Sequence, residues 1–352
     1  MTPLAAKKSR ASGSIFWFWT VFGPFLGLLA TVGLFAYLTR GSGTFLSVYN
    51  WRTISVQTVI VATAALGMTL IMISGGIDLS IGSVVALVCV VSALAVRGSQ
   101  VQLPSFLGAE LWTLKPVPLV LALILGVVIG GLCGFLNGVM IARLRVVPFI
   151  ITLGGMKMYR GLAKWLASST SIYMPQEAQT WWFNSALAME PQPAWLIVAP
   201  GVWILLGLSF MLSLMLKYTV HGRYLYAIGS NETASRLCGI GVPRVKTAVY
   251  AAAGLLFGLA GVFQFIYLVG TGDPTTAEGL ELQVIAAVVI GGASLSGGEG
   301  TIPGTLIGCL IMSVLSNGCV LAGIPNAMRD MIIGAIIIAA VSLDRFRRGR
   351  SR

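Results

Sequence analysis

Charge is scarce in this sequence: only 10% of its 352 residues are Asp, Glu, Lys or Arg, and only 11 of those are acidic. A soluble domain covers about a quarter to a third of its surface with charge, so this chain has too little to face water on all sides. Histidine is scarcer still. His221 stands alone, and no His-Glu-x-x-His metal motif, no Gly-x-x-x-x-Gly-Lys-Ser/Thr phosphate loop and no Gly-x-Ser-x-Gly elbow occurs. An enzyme inside an apolar bundle needs a paired acid or nucleophile set, and Asp78 and Glu281 are the only interior candidates. No catalytic residue and no metal ligand is therefore assigned. The five cysteines show no paired spacing. Cys89, Cys133, Cys309 and Cys319 lie in apolar segments and Cys238 in a basic loop, which suits small buried hydrophobes better than a disulfide framework.

Hydrophobicity is what the chain has: 57% of residues are apolar, in runs that recur from Phe16 to Leu343. About 20 apolar residues cross roughly 30 Å of hydrocarbon. On that basis the sequence predicts an all-α, polytopic transmembrane helical bundle, a single membrane domain over 1–352. About ten spans fall near 15–38, 54–73, 80–96, 117–142, 148–168, 195–216, 247–269, 282–297, 301–321 and 327–343. The first segment is too long for a signal peptide that is removed, and reads as a retained span. An even count puts both termini on one side. The basic residues choose that side. Lys7, Lys8 and Arg10 in a tail of about 1–14, then Arg143, Arg145, Lys217, Arg223, Arg236, Arg244 and Lys246, share one face with Arg345, Arg347, Arg348, Arg350 and Arg352 in a tail of about 344–352. The positive-inside rule makes that face cytoplasmic. The net charge of +12 is then a topology and lipid-headgroup signal, and nucleic-acid binding is not implied.

Two stretches break the apolar pattern at membrane depth. Ser74-Gly75-Gly76-Ile77-Asp78-Leu79-Ser80-Ile81-Gly82 sets a carboxylate and glycines between two spans, and Ile290-Gly291-Gly292-Ala293-Ser294-Leu295-Ser296 echoes it at an offset of 216. Polar interruptions survive there only when protein or a water-filled cavity surrounds them, and paired interrupted helices point to a translocation site. The candidate pathway residues are Gly75, Gly76, Asp78, Ser80, Asn137, Glu281, Gln283, Gly291, Gly292, Ser294 and Ser296, with Thr152, Gln264 and Asn317 as further polar groups. Close helix packing is the competing explanation for the glycines, and capping of freed backbone groups the competing one for Asp78. Lys157, Arg160 and Lys164 recur at helical spacing; they form a basic stripe or reach out to headgroups.

Two connections are long enough to carry structure. Residues 169–194, with Tyr173, Pro175, Trp181, Trp182, Pro191 and Pro193 and with Trp195 following, fit an outer-face aromatic belt or a docking surface. On the inner face, Asn231 suits a helix N-cap, Glu232 the positive end of a helix dipole, and Gly239 a left-handed stop, which predicts a helix of about two turns. Either this helix is a lever for another protein or the stretch is a solvated connector.

The motifs Ser74 to Ser83, Asn137 to Arg143 with Pro148 to Gly154, Gly222 to Gly241, and Ile285 to Gly298 followed by Gly304 to Gly308 occur in one order along the chain. Together they resemble the permease subunit of a bacterial ABC importer for monosaccharides, of the ribose, xylose and galactose type. The resemblance implies a subunit that hydrolyses nothing itself and binds no cofactor, with ATP and Mg on a partner. It implies a cytoplasmic ATP-binding subunit, a periplasmic or extracellular solute-binding protein and a second permease subunit, identical or paralogous. It also implies a multi-pass position in the bacterial cytoplasmic (inner) membrane. Residues Gly229, Asn231, Glu232, Ala234, Ser235, Arg236, Gly239 and Ile240 match the coupling helix of such importers. Arg160 alone of the basic stripe fits the family pattern, and Gln283 departs from it where an aspartate is frequent. The alternatives are an ion-coupled secondary transporter of small polar solutes and a non-transport membrane scaffold or enzyme.

Overall fold

The structure, a computed structural model, describes residues 10–41, 43–102, 111–188 and 197–349. Pro191, Pro193, Trp195 and parts of both basic tails lie outside the described residues. Helices dominate: α1 (Arg10–Leu38), α2 (Val48–Ile73), α3 (Ile81–Arg97), α4 (Leu119–Leu144), α5 (Pro148–Leu166), α6 (Trp181–Ser185), α7 (Pro200–Tyr218), α8 (Val220–Ser230), α9 (Glu232–Leu237), α10 (Val242–Tyr267), α11 (Leu280–Ile290), α12 (Ile302–Leu321) and α13 (Asn326–Gly349). Among the described residues the strands are two small antiparallel pairs, β1 (Ser99–Gln102) with β2 (Leu111–Leu114) and β3 (Ile172–Tyr173) with β4 (Thr271–Gly272).

Each of the ten expected spans coincides with a helix, and among the described residues five of these, α2, α4, α7, α10 and α12, are by themselves long and apolar enough to cross a membrane. The expected span at 282–297 is the clearest departure. Its helix, α11, ends at Ile290, because Gly291 and Gly292 stop it, and 11 residues rise only about 16 Å. It therefore spans about half of the hydrocarbon.

The central element is α2, which touches α7, α10, α11 and α12 and is buried from Thr58 to Ile73. A buried helix in apolar surroundings must satisfy every polar side chain internally. The hydroxyls of Thr58, Thr63 and Thr69 do so by donating to the carbonyls of Ile54, Val59 and Ala65, each at 2.7 Å. Thr69 Oγ1 also meets Thr305 Oγ1 of α12 at 2.7 Å.

The tightest seam joins α4 to α10. Gly126, Gly130, Gly134 and Gly138 repeat every four residues on one face of α4, and Gly254 and Gly258 meet that face from α10, while Gly261 packs on Val85 and Val88 of α3. A Cβ at Gly134 would strike the Tyr250 carbonyl and lie 2.8 Å from Gly254 Cα. Small residues at this spacing let two backbones touch, which is how apolar helices gain dispersion contact in lipid. The outward faces carry what the seam excludes: Leu121, Ile124, Val128 and Leu132 on α4, and Phe210, Met211 and Leu214 on α7, are exposed. Among the described residues this is an apolar girdle suited to lipid.

Candidate functional site

The first break, between α2 and α3, is a buried polar knot. Asp78, Ser80 and Asn137 are 1%, 1% and 0% exposed. Asp78 Oδ1 accepts from the Ser80 amide at 2.7 Å and from the Ser80 hydroxyl at 2.6 Å. Asn137 Nδ2 donates to Ser80 Oγ at 3.0 Å, and Tyr159 Oη donates to Asn137 Oδ1 at 2.9 Å. Thr152 Oγ1 donates to the Ile77 carbonyl at 3.3 Å. Helix α3 starts inside the bundle, where its first amides have no water. The Asp78 carboxylate lies against that positive end and takes one of the orphan donors, so it acts as a cap.

The second break follows α11 and copies the first more closely than the sequence suggests, in a different register. Gly75 N donates to the Met72 carbonyl at 2.9 Å and Gly76 N to Ile71 at 3.0 Å; Gly292 N donates to Val289 at 2.9 Å and Ala293 N to Val288 at 3.1 Å. Gly75 and Gly292 hold the left-handed position, φ +80° and +92°. Both helices thus end in a Schellman stop, which needs a residue free of the Cβ penalty there. These pairs superpose at an offset of 217, one residue from the expected 216, because positive φ and not glycine count defines the stop. Gly291 packs its Cα face on the Gly304 carbonyl of α12, and Ser296 N donates to Ser294 Oγ at 3.2 Å.

A cavity of about 730 Å³ occupies the half of the bundle remote from α9. Its walls are Thr53 and Gln57 of α2, Gln264 of α10, Gln283 of α11, Ser313, Ser316 and Asn317 of α12, and the head of α13 with Arg329 and Asp330. Two of these are unusual. Ser313 Oγ and Asn317 Oδ1 are buried with no protein partner, and such atoms ordinarily carry a bond to water or ligand. Of the pathway residues expected from the sequence, Gln283 lines this cavity together with Gln264 and Asn317. Glu281, two residues before Gln283 and so about half a turn away, faces the other way: its Oε2 is buried against Gly82 of α3. Gln57, Ser313 and Ser316 went unread. The signal for these three is periodicity, since Thr53/Gln57 and Ser313/Ser316/Asn317 sit at i+3 and i+4 on apolar helices.

The basic stripe does not hold together. Lys157 and Lys164 are exposed, while Arg160 turns inward and donates from Nη1 to the carbonyls of Pro274 at 2.8 Å and Thr276 at 2.7 Å. It pins the 273–279 loop, whose last residues, Ala277, Glu278 and Gly279, wall the cavity. The β3–β4 pair closes the same end, where Tyr173 and Trp181 are exposed and Phe183 is buried against Phe265.

At the opposite end α8 and α9 form a knob. Asn231 Oδ1 accepts from the Ala234 amide at 2.9 Å, Ser235 Oγ donates to the Asn231 carbonyl at 2.9 Å, and Gly239 ends α9 at φ +81°, the two ends expected from the sequence. Leu237, at the tip, is 86% exposed. Glu232 ties the knob together, receiving Arg236 at 2.5 Å and Lys246 of α10 at 2.6 Å. Burial pushes the Glu232 carboxyl up, but the hydrogen bonds from Lys246 and Arg236 outweigh it and hold the group below its ordinary value. A depressed carboxylate contributes stability that is complete above the unfolded value, about 4.3, and is lost only as pH falls through the lower folded one. Trypsin cleavage after Arg236 in detergent-solubilised protein is therefore expected to be no faster at pH 6 than at pH 8 once the protease's own pH dependence is divided out. Glu232→Gln raises it about two- to fivefold at pH 8, the modest size set by the partial exposure of the pairs. An unchanged rate would show that the ion pairs do not hold α9.

The family model described as "Branched-chain amino acid transport system / permease component" matches residues 50–341. The chain is 37% identical over 322 residues to the ribose import permease protein RbsC of Escherichia coli strain K12, covering 90% of this chain and 92% of that one. It is 38% identical over 325 residues to RbsC of Bacillus subtilis strain 168, with 92% of each chain covered. It is 31% identical over 348 residues to the L-arabinose ABC transporter permease protein AraH of Azospirillum brasilense, covering 99% of this chain and 94% of that one. No solved structure matches.

Proposed function

This chain belongs to the family of branched-chain amino acid transport system permease components, and from that premise we propose that it is the membrane-spanning subunit of an ATP-driven importer for a monosaccharide. The observation that carries the substrate class is the cavity. Its volume of about 730 Å³ suits a small solute, and amides and hydroxyls from four helices converge in it, two of them with unfilled hydrogen-bonding capacity. A sugar offers hydroxyls that both donate and accept, so it matches Gln57, Gln283, Ser313 and Asn317 without a buried charge having to be neutralised. Neutral, replaceable hydrogen bonds also suit passage, because a tightly held solute does not leave.

In this reading the α9 knob faces the cytoplasm and seats in an ATP-binding subunit, which carries the ATP and Mg. Arg143, Arg145, Lys217, Arg223, Arg244 and Lys246 lie toward that end of the helices, in support. The cavity then opens toward the outer face, where the surface with Tyr173 and Trp181 receives a solute-binding protein, and a second permease subunit completes the assembly. The subunit sits in the bacterial inner membrane. The polar knot of Asp78, Ser80 and Asn137, with Gly75, Gly76, Gly291, Gly292, Ser294 and Ser296, stands along the cytoplasmic continuation of the route, and Glu281 stands against Gly82 at the cavity end of α11.

The test is Asn317→Leu. The leucine fills the site and leaves substrate hydroxyls unpaired, at a cost of about 1–3 kcal/mol, so uptake falls about tenfold or more while insertion and ATPase binding stay at parent level. Parent-level uptake in this variant would move the substrate route out of the cavity.

A further inference from the structure

The turn after each broken helix and the base of the knob meet backbone to backbone. Gly298 N donates to the Ile73 carbonyl at 2.9 Å, joining the end of α2 to the second break. Gly229 of α8 fits between them: a Cβ there would overlap both the Ile73 carbonyl and Gly298 N. A Cβ at Gly297 would lie 2.8 Å from the Gly229 carbonyl and 2.8 Å from Gly75 Cα. Tyr226, one turn back along α8, donates from Oη to the Gly300 carbonyl at 2.8 Å. Three segments far apart in sequence therefore touch with no side chain between them, at Gly75, Gly229, Gly297 and Gly298.

Side chains change rotamer when pushed, whereas backbone atoms already in contact have no such slack. A displacement of α8 and α9 must then carry both turns with it. Into the second turn leads α11, a helix of 11 residues whose far end, at Leu280, Leu282 and Gln283, is cavity wall. We propose that this glycine junction is the transmission joint of the transporter: motion of the knob passes through Gly229 into the 291–300 turn and along α11 to the cavity. Gly229, Gly297 and Tyr226 are positioning residues for transport, acting through α11 and touching no substrate.

This proposal rests on the importer reading, and its test separates the two. The parent chain, assembled with its ATPase and binding protein in liposomes, first establishes ATP-dependent uptake; failure at that step counts against the importer and leaves nothing for the joint to transmit. Given that activity, Gly229→Ala is expected to retain ATP hydrolysis within about twofold while uptake falls tenfold or more, a split that a general loss of fold does not produce. Uptake within twofold of the parent in Gly229→Ala overturns the joint. Should that variant not assemble, Tyr226→Phe removes only the bond to Gly300 and is expected to lower uptake per ATP hydrolysed at least threefold; an unchanged ratio overturns the joint equally. Gly207→Ala, at an open position on α7, keeps the parent ratio.

Discussion

Gly134→Leu is expected to abolish the folded bundle. Gly134 stands where α4 and α10 touch, and a side chain there meets the Tyr250 carbonyl and the Gly254 backbone, neither of which can rotate away. Overpacking a soluble core costs about 1–3 kcal/mol because neighbouring side chains share the strain. Here the neighbour is main chain, so the helices must part and the Gly130, Gly138 and Gly254 contacts are lost with Gly134. Fluorescence-detected size-exclusion chromatography in mild detergent reads the result directly, with the monodisperse peak falling at least tenfold. Gly207→Leu is the matched control, since its Cβ meets nothing within 4 Å and leucine is the better helix former by about 0.8 kcal/mol. That variant keeps the parent profile. Equal profiles for the two would mean that the α4–α10 seam is not where the bundle is held.

The second large effect is expected at Asp78, where the chemistry and not the volume matters. Asp78→Ala leaves the Ser80 amide and hydroxyl without their acceptor in a site that water does not reach, and an unsatisfied buried donor costs about 1–3 kcal/mol. With the lost interaction at the α3 dipole, the total is about 2–5 kcal/mol. Asp78→Asn retains an oxygen at the Oδ1 position and keeps both Ser80 bonds. Thermal unfolding in detergent should therefore place Asp78→Ala well below the parent and Asp78→Asn between them, nearer the parent. The reverse order would show that charge itself, rather than acceptance of the Ser80 donors, makes the residue necessary.

What was legible in the sequence is what local periodicity encodes. Apolar runs gave the helices, Asn231 and Gly239 gave the ends of α9, and Asp78 among glycines gave a break, with the carboxylate open to either a pathway or a capping role. What stayed hidden is long-range. Nothing near Gly229 says that it will meet Ile73 and Gly298, because the contact belongs to three segments brought together by α2, α8 and α12. Register misled for a related reason: Gly75 and Gly292, not Gly75 and Gly291, are equivalent, since the backbone angle and not the residue type sets the stop. The cavity was half visible, in Gln264, Gln283 and Asn317. Its other polar lining includes Thr53, Ser313 and Ser316, on helices whose hydroxyls ordinarily bond their own turn, as those of Thr58 and Thr63 do, so only the geometry distinguishes Ser313.

The central claim is that this bundle conducts a sugar but draws its power from an ATPase gripping the α9 knob. Uptake of radiolabelled sugar into liposomes holding the chain with and without its ATPase subunit tests it most directly, with the binding protein present and sodium and proton gradients imposed or collapsed. Accumulation is expected only with both the ATPase and hydrolysable ATP, unaffected by collapsing the gradients. Accumulation by the chain alone, driven by an ion gradient, would contradict it.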